Sequence, residues 1–167
     1  MQETKWLIAR EIPRLRRYAL ALTRDPVLAD DLVQDTLERA IRKRHLWRRK
    51  GSLRGWLYKI LYRVFLNQRT QRWRRAHEVD LNDAPELADT GTPETQLAQR
   101  DIVNAMQDLP VEQRAAIALT AIEGLSYDEA AAVLSIPIGT LRSRLSRGRE
   151  RLRETFDTSE PHLRQVK

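Results

Sequence analysis

Residues 124–152 read GLSYDEAAAVLSIPIGTLRSRLSRGRERL, and this stretch decides the fold. Gly124 closes a helix predicted over 111–123, because glycine alone enters the left-handed backbone region without strain. Ser126 and Glu129 have the Ser-x-x-Glu spacing of a capping box, which opens a short helix carrying Ala130, Ala131, Val133 and Leu134. Ser135-Ile136-Pro137 breaks it. In the helix that follows, a step of about 100° per residue gathers Leu141, Leu145, Gly148 and Leu152 on one side. Ser143, Ser146, Arg147 and Glu150 point the other way, flanked by Arg142 and Arg144. A short helix, a tight turn and a basic helix make a helix-turn-helix, whose second helix lies in the major groove of DNA. There Arg can hold guanine bidentately, and Ser can bond a base edge or a phosphate. The plain alternative is an Arg-rich helix that only faces water.

Outward from this motif, the charge is distributed in blocks. The net charge of the 167 residues is +7, but residues 39–75 hold 14 Lys or Arg and no Asp or Glu, which is a polyanion-binding signature. Over 76–101 the sign reverses: seven acidic residues stand against Arg100 alone, among Pro85, Gly91 and Pro93, and the segment reads as a flexible acidic linker. Over 137–153 six arginines oppose Glu150. Two basic modules on a tether suit one polyanion gripped at two places, with the linker setting the effective concentration of the second contact. The competing reading is a set of solvated helix faces.

Composition narrows the classes further. With no cysteine and three scattered histidines, a disulfide framework, a thiol nucleophile and a Cys- or His-ligated metal centre are not expected. Six Gly and seven Pro in a chain that is 41% apolar are too few for an all-β fold, so the expectation is an all-α protein. Length alone allows one ordinary domain or two small ones, and the two tethered basic modules favour two small helical domains. No run reaches the roughly 18 apolar residues of a membrane span, and the first 20 residues lack the pattern of a signal peptide, so a cytoplasmic protein without membrane insertion is expected.

The first half is helical too. Ile12, Leu15, Ala19 and Leu22 share a face, and Asp25-Pro26 supplies a cap and a first-turn proline for the next helix. There Leu32, Val33, Thr36, Leu37, Ala40 and Ile41 form the core side, and Asp31, Gln34, Asp35 and Glu38 gather opposite. That acidic stripe is either a solvated face or a docking surface for a basic partner. After Gly51-Ser52, residues Leu53, Trp56, Leu57, Ile60, Leu61 and Val64 predict a strongly amphipathic helix. Tyr58, Tyr62, Phe65 and Arg69 fall together on its other side. Aromatic and basic residues on one outward face suit unpaired DNA, with bases stacked on rings and phosphates met by Arg; the alternative is that the rings are buried against another helix.

At this point the residues resemble a known family. Leu109-Pro110-Val111-Glu112-Gln113-Arg114, the Gly124 to Ala131 segment and the Ile136 to Arg149 segment look like region 4 of bacterial RNA polymerase sigma factors, most of all the extracytoplasmic-function (ECF) group. Ala29-Asp30-Asp31-Leu32-Val33-Gln34-Asp35-Thr36 resembles region 2.2, and Gly55-Trp56-Leu57-Tyr58-Lys59-Ile60 with the basic run to Arg75 resembles regions 2.3 and 2.4. The likeness covers about residues 10–153 and lacks region 3 of larger sigma factors.

The resemblance implies a dissociable promoter-specificity subunit with no catalytic residues, metal or cofactor of its own. Its region 2 domain would span 8–76, a linker 77–97, its region 4 domain 98–156 and a tail 157–167. Asp31, Gln34, Asp35 and Glu38 would dock on the clamp helices of the polymerase β′ subunit. Arg48, Arg49, Lys50, Ser52, Tyr58, Tyr62, Arg63, Asn67 and Arg69 would engage the −10 element, its non-template strand and a flipped base. Thr140, Arg142, Ser143, Arg144 and Arg147 would read the −35 duplex, and region 4 would touch the β flap tip. An anti-sigma factor is the implied regulator, and no small-molecule ligand is expected. Arg63 and Asn67 stand where the family commonly has Asn and then Asp, so its −10 base preference does not carry over. Ser146 stands where a larger or aromatic residue is common, with the same consequence for −35 detail. Outside the resemblance, a self-sufficient helix-turn-helix regulator would require a palindromic operator. A nucleic-acid enzyme would require clustered carboxylates, and the most basic block has none.

Overall fold

The structure, a computed structural model, describes residues 2–47, 51–78 and 106–159. These residues contain helices and no strand. The chain divides into two compact units, one centred on the first four helices and the other on those after residue 105. Among the described residues no helix is long and apolar enough to cross a membrane.

The first unit consists of α1 (Gln2–Arg10), α2 (Ile12–Thr23), α3 (Pro26–Arg42), a 3-10 turn (Arg44–Leu46) and α4 (Leu53–Glu78). Leu15, Ala19 and Leu22 of α2 are buried as their spacing predicts, Tyr18 is buried with them, and α2 packs on α3, where Leu32, Val33 and Ala40 are buried. Ile12 and Ile41 lie at the outer ends of those two apolar stripes, and both are exposed.

The α2–α3 corner is built from two residues with different tasks. Arg24 takes the left-handed conformation at φ 60° and donates its N–H to Leu20 O at 2.8 Å, ending α2. Asp25 then caps α3: its Oδ1 accepts the N–H of Val27 at 2.8 Å and of Leu28 at 3.1 Å, with Pro26 in the first turn. Two N–H groups that the helix itself cannot satisfy are thereby paired. Asp25→Ala is expected to cost about 1 kcal/mol in urea unfolding, and Asp25→Asn much less; equal losses would show that charge rather than capping matters.

The second unit contains α5 (Val111–Ile117), which widens into a π turn (Ala118–Ile122), then α6 (Tyr127–Leu134) and α7 (Ile138–Ser159). The π turn, which the periodicity did not predict, ends at Gly124 with φ +70°. Its wider register shows in Glu123 N–H reaching back five residues to Ala118 O at 2.9 Å, and Leu125 N–H closes the end beyond Gly124 on Leu119 O at 3.0 Å. The capping box is present in both directions: Ser126 N–H donates to Glu129 Oε2 at 2.9 Å, and Glu129 N–H donates to Ser126 Oγ at 3.2 Å.

Leu141 and Leu145 are buried, and Gly148 is the point at which α7 meets α5. A Cβ at Gly148 would stand 2.6 Å from Ile117 Cδ1 and 3.4 Å from Gln113 Cβ. The predicted inner face of α7 is therefore correct, and its glycine is what lets α7 seat closely on α5.

Candidate nucleic-acid and partner interface

Ser52 stands just before helix α4 and its Oγ accepts the Gly55 N–H at 3.2 Å; this exposed hydroxyl, expected at the −10 DNA, serves as a helix cap. Further along, Arg63, Asn67 and Arg69 are exposed, Arg63 and Asn67 on one stripe of the helix and Arg69 on the stripe that continues from Tyr62. Tyr58 and Tyr62 are not exposed. Tyr58 is 0% exposed and Tyr62 6%, and Phe65 is buried beside them. The expectation that these rings face outward is corrected.

The cause lies in the sequence of α4, which is apolar around most of its circumference between Leu53 and Leu66. Its packing against both α2 and α3 selects the buried side, rotated toward the aromatics and away from Trp56 and Ile60, which are half-buried. Tyr58 meets Tyr18 of α2 edge-on, centroids 5.2 Å apart, and Tyr62 stacks on Phe65 at 6.4 Å. Trp56 instead packs on Trp47 from the loop before α4, at 6.5 Å. Arg54, one of the 14 cations of the basic block, is held by Glu11 at 3.1 Å and ties α4 back to the start of α2. Arg48, Arg49 and Lys50 lie outside the described residues, as do residues 79–105 and 160–167.

On α3, Asp31 is exposed, and Gln34 and Glu38 lie beside each other on the same open face, Nε2 to Oε1 3.5 Å. Glu38 also pairs loosely with Arg42 at 3.8 Å. Asp35 departs from the expected stripe. It is half-buried, and its Oδ2 accepts a hydrogen bond from Gln68 Nε2 of α4 at 2.8 Å. Asp35 thus helps to lock the two helices where they cross, leaving three polar side chains on the open face.

Helix α7 separates its arginines into two stripes. Ser143 and Arg147 are exposed on the side opposite Leu141, Leu145 and Gly148, with the half-buried Thr140 and Arg144 at their edge. Arg142 points elsewhere. With Ser146, Arg149, Glu150 and Arg153, and with Tyr127 from α6, it lines a groove of about 400 Å³. Arg149 Nη2 donates to Tyr127 Oη at 3.3 Å, joining the two helices of the motif. The five residues expected at the −35 duplex therefore do not form a single surface. Residues 142, 146, 149 and 153 carry the four-three-four spacing of one helical stripe, which is the sequence signal for this groove.

Comparison with known proteins fits this geometry. The family model described as the Sigma2 domain of PhyR matches residues 8–62, and that of Sigma-70, region 4 matches residues 99–152. The chain is 33% identical over 141 residues to the ECF RNA polymerase sigma factor EcfG of Rhodopseudomonas palustris, covering 84% of this chain and 78% of that protein. Among solved structures it is similar to the sigma factor RpoE of Bartonella quintana, solved in complex with the anti-sigma factor NepR. That match has 34% identity and a TM-score of 0.79, and covers 94% of this chain and 98% of that one. A second similar structure is CnrH in complex with the cytosolic domain of CnrY, at 26% identity and a TM-score of 0.71, covering 95% and 90%.

Proposed function

The chain belongs to the ECF RNA polymerase sigma factors, and from that premise we propose which of its residues meet polymerase and which meet promoter DNA. Members of this family are transcription regulators rather than enzymes: they bind core RNA polymerase and direct promoter recognition and initiation.

In this reading residues 8–76 form the polymerase-docking and −10 domain, 77–97 the linker, 98–156 the −35 domain and 157–167 a tail. Asp31, Gln34 and Glu38 meet the β′ clamp helices; Asp35 acts behind them through its bond to Gln68. Arg63, Asn67 and Arg69 meet the −10 strand, together with Arg48, Arg49 and Lys50 of the preceding loop. Thr140, Ser143, Arg144 and Arg147 face the −35 bases. The groove arginines Arg142, Arg149 and Arg153 hold phosphate, since the first helix of such a motif crosses the backbone beside its partner. Control by an anti-sigma factor and a cytoplasmic location complete the proposal, the former supported by the NepR complex of the similar RpoE.

The observation that carries this reading is the concentration of solvent-facing guanidiniums on α4 and α7, one set on each unit.

In transcription with purified core polymerase and a genomic promoter library, the holoenzyme is expected to bind and open promoters that the free chain binds weakly. Equal promoter affinity and melting with and without core would defeat the proposal. Asp31→Lys combined with Glu38→Lys is expected to weaken core binding tenfold or more, because like charges set opposite one another at an interface are strongly unfavourable. Both side chains are exposed, so the thermal midpoint should stay in place. Undiminished core affinity would move the docking surface elsewhere.

A further inference from the structure

Tyr62, Leu66, Arg69 and Trp73 follow one another along α4 at steps of four, three and four, so they share one stripe of the helix. Exposure climbs along that stripe, from 6% at Tyr62 to 38% at Leu66 and 62% at Trp73. The bundle covers the beginning of the stripe and leaves its end in water. Trp73 thus presents a large indole surface on the stripe of Arg69, with Arg72 and Arg74 about 100° round the helix to either side, in a block that contains no carboxylate from residue 39 to residue 75.

Three kinds of occupant can be weighed for such a surface. A cationic or neutral protein gains little from guanidiniums that must give up their water. A polyanion read by charge alone has no need of an indole, whose exposure forgoes the gain of burying it. An unpaired nucleotide uses both groups, because its base has a π-face to stack and its phosphate takes a guanidinium. The buried Tyr58, Tyr62 and Phe65 leave this role open on α4.

We propose that Trp73 is a base-stacking residue for the unpaired promoter strand, with Arg69 one turn before it taking the adjoining phosphate. At about 1.5 Å and 100° per residue, it lies about 9 Å beyond Asn67 along the helix axis and about 120° round from it, so it continues the stripe of Arg69 rather than that of Asn67. The proposal rests on the reading that α4 carries the −10 strand, and the test separates the two.

The full chain is titrated with oligothymidylate and with inorganic polyphosphate, which has the charge and lacks bases. Trp73→Ala is expected to weaken oligothymidylate binding about 5- to 100-fold and to leave polyphosphate binding unchanged; Trp73→Phe should recover most of the loss. Arg69→Ala should weaken both ligands. Unchanged oligothymidylate affinity in Trp73→Ala, or equal losses for both ligands, overturns the stacking role. Wild-type binding of both ligands by Arg63→Ala with Arg69→Ala overturns the underlying assignment of α4 instead. With holoenzyme, an abasic site moved along the non-template strand should weaken wild-type retention at one position to which Trp73→Ala is indifferent. Loss of core-polymerase affinity in Trp73→Ala with DNA binding intact would make the surface a protein contact and overturn the proposal.

Discussion

Tyr58→Ala is expected to lower the unfolding free energy of the first unit by about 3 to 5 kcal/mol. The ring is completely buried, meets Tyr18 edge-on at 5.2 Å, and sits where α4 is pressed against both α2 and α3. Its removal takes away apolar burial, an aromatic pair and the packing around a cavity too deep for its neighbours to refill. A small domain has only about 5 to 15 kcal/mol in total, so the variant should be largely unfolded at growth temperature and should lose polymerase and DNA binding together. Asn67→Ala, on the exposed side of the same helix, should leave stability within about 0.5 kcal/mol and affect DNA alone. Denaturant unfolding followed by circular dichroism, alongside oligonucleotide binding, distinguishes the two cases. A Tyr58→Ala variant with wild-type stability and a selective loss of single-strand binding would restore the outward, base-stacking reading of that ring.

The contrast shows which features of this chain can be read from sequence. Capping is legible because it is local: Asp25 with Pro26, and Ser126 with Glu129, carry their hydrogen-bond partners within three residues, and each forms the bonds its spacing predicts. The inner face of α7 is legible because one neighbour, α5, covers one narrow stripe that ends in Gly148. Helix α4 is different. Between Leu53 and Leu66 it is apolar nearly all round, and the periodicity offers two overlapping faces without choosing between them. The choice is made by α2 and α3, which are distant in sequence, and it turns the aromatics inward.

Asp35 shows the same limit for a polar residue. Its place on the acidic stripe follows from 100° steps, but its hydrogen bond goes to Gln68, 33 residues away. The exposed Trp73 is the reverse case, because it stands in plain view within the basic run, and only the burial of the other aromatics on its helix gives it significance. The π turn has no sequence signal that helical periodicity can register, since it consists of ordinary helix-forming residues in a widened register.

On α7, neighbouring arginines are expected to have effects that differ in kind. Arg147 is exposed on the side opposite the buried Leu141, Leu145 and Gly148, where a recognition helix presents itself to base edges. A bidentate contact to guanine is worth about 1 to 3 kcal/mol of discrimination, so Arg147→Ala should relax the −35 preference at one position while other positions keep theirs. Arg149 lies two residues further on and in a different environment, bonded to Tyr127 Oη at the mouth of the groove it shares with Arg142 and Arg153. Phosphates are alike in every sequence, so Arg149→Ala should weaken −35 binding uniformly and reduce the slope of log affinity against log salt by about one. Transcription from a promoter library randomised at the −35 element, repeated across a salt series, measures both effects. An unchanged −35 preference in Arg147→Ala would remove that residue from the reading set. An altered preference in Arg149→Ala would place it there, and the groove between α6 and α7 would then be a base-reading surface.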